Sequence, residues 1–177
     1  MPGANGATLR RADLSDAAGL TRLAFETFWD AFAGHLMNAP ADLDDYMRRT
    51  FTVERMTGEL SDLNSLFTIA EVSGEMAGYS KLVVGNIEPG ITAERPVELA
   101  RLYSHQRFLG QGIGPALLDR CFEDARAAKC DVIWLGVWEY NPRARRFYEK
   151  NGFRPVGKHI FQLGADPQTD LLMQREL

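Results

Sequence analysis

The spacing of apolar residues along the chain changes period several times, and each change marks an element. A first strand is predicted over residues 7–11. Asp13 then stands as an N-cap with Asp16 three residues on, as in a capping box, and a helix follows through AAGLTRLAFETFWDAFAG. In it Phe25, Phe28, Trp29 and Phe32 fall at i, i+3, i+4 and i+7, on one face. After a break at Asn38-Ala39-Pro40, a second helical stretch carries Leu43, Tyr46, Met47 and Phe51 and continues less regularly to Leu60. SLFTIAEV and AGYSKLVVG read as two strands joined by a tight turn at SGEM, and NIEPGITAER is a loop.

The second half alternates strand and helix. VELARLY is a strand; a glycine-rich turn leads into a long helix with Ile113, Leu117, Leu118, Phe122 and Ala125 on one face; VIWLGVW is the next strand. A short helix PRARRFYEK, capped by Asn141-Pro142 at its start and closed by Gly152, precedes a strand around PVGKHIF and a final one near TDLLMQREL. The order β-α-α-β-β-β-α-β-α-β-β predicts an α/β (α+β) fold, a mixed central sheet of about seven strands flanked by helices on both faces. The length, 177 residues, predicts a single domain over 1–177.

Composition narrows the function classes. With 45% hydrophobic and 25% charged residues the chain sits at the globular average, and a net charge of -4 argues against a general nucleic-acid binder. No apolar run has the length of a signal peptide or a membrane span, so a cytoplasmic protein without membrane partners is expected. Cys121 and Cys130, nine residues apart on one predicted helix, read as structural thiols rather than a disulfide or a metal site.

The chemistry concentrates in LGQGIGPALL, residues 109–118. Glycine inside an element costs roughly 0.5–1 kcal/mol against alanine, so three glycines on alternate positions suggest backbone amides directed at something bulky and near. At a helix N-terminus such amides suit an anion, often a phosphate. Two familiar phosphate loops do not fit. GQGIGP ends in Pro115 where a dinucleotide fingerprint needs a small residue, and no Lys or hydroxyl residue follows as in a Walker A loop. A second motif, NPRARRFYEKNGF (141–153), contains the adjacent pair Phe147-Tyr148, which cannot face one way on a helix. If Phe147 enters the core, Tyr148 looks toward the sheet edge.

LGQGIG followed by a strand and N-x-x-A-x-x-F-Y-E-K-x-G-F resembles the GNAT superfamily of acetyl-CoA-dependent N-acetyltransferases, and the element order is similar to that fold throughout. More narrowly, IWLGVWEYNPRARRFYEKNGF, VGKHIFQLGADPQTDLLM and ETFWDAF resemble the PaiA-like spermine/spermidine acetyltransferases. The resemblance implies acetyl-CoA as co-substrate with no metal, a small polyamine as acceptor, and a homodimer, which is common in the superfamily. A protein or peptide acetyltransferase and a non-catalytic acyl-CoA sensor are the alternatives.

Carried over by position, the resemblance gives the amides of Leu109, Gly110, Gln111, Gly112, Ile113 and Gly114 to the coenzyme pyrophosphate. It gives the backbone of Leu102, Tyr103 and Ser104 to the pantetheine arm, in a gap where VELARLY and VIWLGVW splay apart. The family usually has Gln or Arg where this chain has Leu109, and Arg107, two residues earlier, is the residue that could supply the charge from the loop; Asn141 contacts the cofactor arm, caps its helix, or both. Any of Arg143, Arg145 and Arg146 meets the adenosine 3′-phosphate or is solvated surface. Tyr148 corresponds to the phenol near the coenzyme sulfur and is the candidate general acid. Glu98 is the candidate base or an ion-pair partner of Arg101, and strand alternation puts it on one face with Ala100, Leu102 and Ser104. His105 and His159 are the other groups that titrate near neutrality. The acceptor is expected where the N-terminal helices meet the sheet, beside Glu26 and Asp30.

Overall fold

The capping box forms as the sequence predicts. Asp13 accepts from the Ser15 amide at 2.8 Å, Asp16 accepts from the Asp13 amide at 2.9 Å, and Arg10 grips both Asp16 oxygens at 2.8 Å. The Arg10 hydrogen bonds hold the Asp16 carboxyl below its ordinary value of 3.8, against the opposing effect of burial. Asp16 therefore favours the folded state above that value, and its contribution is lost as pH falls below it through the lower folded-state pKa. Asp16→Ala is expected to cost about 1–3 kcal/mol at neutral pH. The deficit should shrink in acid melts run below pH 3.8.

The computed structural model describes residues 6–35 and 38–177. β1 (Ala7–Arg11) is followed by α1 (Ala17–Phe32), α2 (Pro40–Thr50), α3 (Val53–Ser61), β2 (Ser65–Val72), β3 (Glu75–Val84), β4 (Pro96–Ser104), α4 (Ile113–Ala127), β5 (Val132–Trp138), α5 (Pro142–Lys150), β6 (Arg154–Leu163) and β7 (Asp166–Glu176). The seven strands lie in the order β1-β2-β3-β4-β5-β7-β6, antiparallel except for the β4–β5 pair. One correction concerns the second helical stretch, which is two helices. Phe51 leaves helical geometry, and Thr52 caps a new helix by accepting from the Arg55 amide at 3.2 Å.

Two apolar layers hold the sheet. On one face α1, α2 and α3 bury Leu20, Phe28, Leu43, Met47 and Met56 against Phe67, Ile69 and Tyr79. On the other, α4 buries Leu118, Phe122 and Ala125 against Leu82, Val97, Leu99 and Ile133, with α5 at the rim. Of the aromatic face expected on α1, Phe28 is buried, whereas Trp29 is 42% exposed. Both cysteines are free and buried, and burial pushes the Cys121 thiol up to about 12.

Strand β4 departs from regular pairing in two ways. It pairs with β5 only at Pro96, Val97 and Glu98, after which the strands separate and leave one edge of β4 open. Its register with β3 also slips by one residue: Leu99 faces Leu82 and Arg101 faces Lys81, so Ala100 is the extra residue of a bulge. The bulge overturns the expectation that Glu98, Ala100, Leu102 and Ser104 share a face. Leu102 packs with Leu99 on the α4 side, and Tyr103 packs with α1 and Tyr79 on the other.

Candidate active site

The open edge of β4 and the start of α4 form a cleft. Gly110 and Gly112 have φ of 80°, a left-handed conformation that excludes most side chains, and Gly112 is the N-cap of α4. Two of the three glycines thus have a conformational reason of their own. Gly114 does not. A Cβ added there would find only Ser104 Oγ, at 3.9 Å, so nothing within the chain demands glycine.

Not all of the loop amides expected to meet the pyrophosphate are free. Leu109 N–H donates to the Gln106 carbonyl and Gln111 N–H to the Phe108 carbonyl, closing turns around a 3₁₀ segment at Gln106–Phe108. Among the described residues, the amides of Gly110, Gly112, Ile113 and Gly114 have no intramolecular acceptor, and Pro115 removes no bond because the first helical amide to bond is Ala116. Four unpaired N–H groups at the positive end of a 15-residue helix fit a pyrophosphate.

The cleft is lined by Leu102, Tyr103, Ser104, Leu109, Gly110, Gly112, Ile113, Gly114, Asn141 and Tyr148, together with Thr27 and Ala31 of α1, which the sequence did not indicate, and Asp30, which it assigned to the acceptor side. Asn141 caps α5, its Oδ1 accepting from the Ala144 amide at 3.0 Å, which leaves its side-chain NH₂ for the cleft. Of the three α5 arginines only Arg143 reaches the cleft. Arg107 and Gln111 are outside it. Arg107 is ion-paired with Glu75 and stacked on Phe108, and the Gln111 side chain donates to the Arg107 carbonyl at 3.3 Å. Phe147 and Tyr148 do not divide into a core and an edge residue. Both are half-buried, both line the cleft, and their rings are in edge contact at 5.2 Å. Burial raises the Tyr148 phenol well above its ordinary value.

Beyond the β4–β5 split lies a second cavity, walled by Phe28, Phe32, Tyr46, Phe51, Trp138 and Phe161, with Glu98, Arg101, His159 and Asp170 among its polar groups. Tyr103 lines both the cleft and this cavity. Asn38 Oδ1 and Trp138 Nε1, on cavity-lining residues, are buried without partners among the described residues. Arg101 is not paired with Glu98. Glu59 takes it in two bonds of 2.8 and 3.0 Å and also binds Lys81 at 3.0 Å. Burial opposes the Glu59 charge, but Arg101 and Lys81 outweigh it and hold the carboxyl below its ordinary value. Glu98 instead accepts from Asn86 Nδ2 at 2.6 Å. Glu26 and Asp30 lie in a shallower groove with Trp29 and His105, where His105 Nε2 is 3.6 Å from Glu26. Asp30 also borders the cofactor cleft.

A seven-stranded mixed sheet with a split parallel pair, and an amide-lined helix start beside the split, define a coenzyme-dependent acyltransferase. The chain belongs to the Acetyltransferase (GNAT) family, whose model matches residues 24–153, and is an acetyl-CoA-dependent N-acetyltransferase. It is 33% identical over 177 residues to an uncharacterised N-acetyltransferase of Lactobacillus delbrueckii subsp. lactis, covering 100% of this chain and 99% of that one. Its fold is similar to the PaiA N-acetyltransferase of Thermoplasma acidophilum in complex with coenzyme A, with a TM-score of 0.76 at 22% identity, over 97% and 99% of the two chains. It is also similar to a ribosomal-protein-alanine N-acetyltransferase of Brucella melitensis, with a TM-score of 0.72 at 23% identity, over 96% and 99%. Among the described residues no helix is long and apolar enough to cross a membrane, and no cluster of His, Cys, Asp and Glu is suited to a metal.

Proposed function

We propose that the chain transfers an acetyl group from acetyl-CoA to the primary amine of a small cationic acceptor, a polyamine of the spermidine type. The observation that carries this reading is the contact between the cleft and the aromatic cavity at Tyr103, beside the split of β4 and β5. A thioester entering from the amide side and an amine entering from the aromatic side meet there. In this reading Gly110, Gly112, Ile113 and Gly114 hold the pyrophosphate, and the free edge at Leu102, Tyr103 and Ser104 pairs with the pantetheine arm. Asn141 and Arg143 border the cofactor, and Tyr148 donates the proton that the departing thiolate takes up. Aromatic walls attract ammonium groups by cation–π interaction, and Glu98 and Asp170 add negative charge within the cavity. Glu26 and Asp30 extend that charge along the outer groove, where the far end of a long polycation would lie.

Thiol release from acetyl-CoA, measured with spermidine, spermine, phenylethylamine, an alanine-initiated peptide and an aminoglycoside, tests the proposal. The polyamines should give the highest kcat/KM at fixed ionic strength. Preference for the peptide would move the acceptor to a protein N-terminus, and binding of acetyl-CoA without thiol release by any amine would make the chain a sensor.

A further inference from the structure

β5 is buried at six of its seven positions, and the exposed one is Gly136. The exposure marks the place where β4 has left the strand, inside the aromatic cavity. Two side chains occupy the volume that a larger residue would claim. A Cβ on Gly136 would lie 3.1 Å from His159 Nε2 and 3.2 Å from Asp170 Oδ2. Glycine within a strand is unfavourable, and here it leaves room for these two groups at the opening.

His159 and Asp170 face each other across β6 and β7, with Nε2 and Oδ2 3.5 Å apart. The other ring nitrogen, Nδ1, is 3.9 Å from Glu88 in the loop between β3 and β4. Nδ1 is on the Glu88 side of the ring and Nε2 is on the Asp170 side, within the cavity, so Nε2 is the atom that a proton from the cavity would reach when the ring carries its own proton on Nδ1. Once Nε2 takes a proton, the imidazolium lies between two carboxylates. Glu98 and Arg101 of β4 line the same cavity, and Glu139, after β5, acts on Asp170. Arg101 is committed to Glu59, so its charge is largely answered.

We propose that His159, supported by Asp170 and Glu88, is the general base that deprotonates the acceptor ammonium at Gly136; this rests on the N-acetyltransferase reading of the site. The N–H bond of the ammonium breaks as its proton passes to His159 Nε2. The freed nitrogen lone pair forms the N–C bond to the acetyl carbon, and the C–S bond then breaks with its electron pair on sulfur, which receives the Tyr148 proton; the Tyr148 phenolate so formed recovers a proton from the second N–H of the adduct, leaving a neutral amide, and His159 returns its proton to solvent. Burial raises the Asp170 carboxyl, with the His159 contact opposing that rise, consistent with a carboxylate that gains when its neighbour becomes cationic.

The test compares the parent protein with His159→Gln, Asp170→Asn and Glu98→Gln, using the amine with the highest kcat/KM, between pH 6 and 10. General base catalysis typically contributes roughly 10²–10⁴-fold, so His159→Gln should lose kcat/KM for the amine by that factor at pH 7. The loss should shrink as pH approaches the amine's own pKa, about 10, where the acceptor deprotonates itself. Acetyl-CoA affinity by calorimetry should not change. In the unmutated protein with coenzyme A bound, the ring signals of His159, resolved from those of His35 and His105 by substituting each to Gln, should shift when the amine is added. An equal loss at every pH, a silent His159 signal, or a pH-dependent loss carried by Glu98→Gln instead would each overturn the assignment. Parent protein inactive with every amine would overturn the acetyltransfer reading as well, whereas an active parent with an unaffected His159→Gln overturns only the base.

Discussion

A Tyr148→Phe enzyme is expected to turn over about 10²–10⁴-fold more slowly while binding acetyl-CoA with nearly parental affinity. The phenol lines the cofactor cleft from α5 and is packed by Phe147 and Phe153, so removing one oxygen leaves the ring contacts in place. Burial holds its pKa above the ordinary 10.0, which keeps the proton on the oxygen through the whole neutral range. An acid must carry its proton when the thiolate leaves, and a raised pKa satisfies that requirement. The sign also fixes the pH dependence. Ionisation of Tyr148 should cause no fall in kcat below about pH 10, the ordinary phenol value. A purely structural tyrosine predicts the opposite pattern, a small loss of melting temperature with turnover within about threefold of the parent, short of the general-acid range. Single-turnover acetyl transfer measured beside coenzyme affinity separates the two.

Gly114→Ala is expected to weaken coenzyme A binding at least tenfold, about 1.4 kcal/mol, without destabilising the fold. The two other glycines of the loop are unsuitable for this test, because a side chain at their φ of 80° strains the backbone whatever binds. Gly114 has helical geometry and open space around its Cβ position. Within the helix, alanine should even stabilise the free protein, by roughly 0.5–1 kcal/mol. In the proposed pose, a methyl group there stands among the unpaired amides that receive the phosphate oxygens. Gly114→Asp adds negative charge to the same point and should abolish binding. The result that removes the phosphate assignment is a Gly114→Asp protein that melts normally and binds coenzyme A as the parent does in a calorimetric titration.

Much of the cofactor side of this protein is legible in its sequence because the determinants are local. The Asp13–Asp16 capping box, the Asn141-Pro142 start of α5 and the glycine turn before α4 depend on residues within about four positions of one another, and each forms as the pattern indicates. The splay of the two strands beside the loop is also found, since β4 pairs with β5 at three positions only. What local pattern misreads is the face of β4. Strict alternation puts Glu98 with Leu102, but one extra residue, Ala100, reverses the faces from that point on.

Local pattern is enough for the α/β class, the order of the elements apart from the break between α2 and α3, the N-acetyltransferase motifs and the helix start that suits a phosphate. Helix caps, turn residues and hydrophobic period act over a few residues, so a short window of chain expresses them. Long-range packing is what settles that Arg107 is bound to Glu75 and that Arg101 belongs to Glu59 rather than to Glu98. It also makes the aromatic cavity, which draws its walls from α1, α2, β4, β5, β6 and β7. The meeting of Gly136, His159 and Asp170 brings together three strands and depends on β7 pairing between β5 and β6. Strand order is set by the burial of whole faces against α1–α3 and α4, a sum over the molecule that no short window of residues contains.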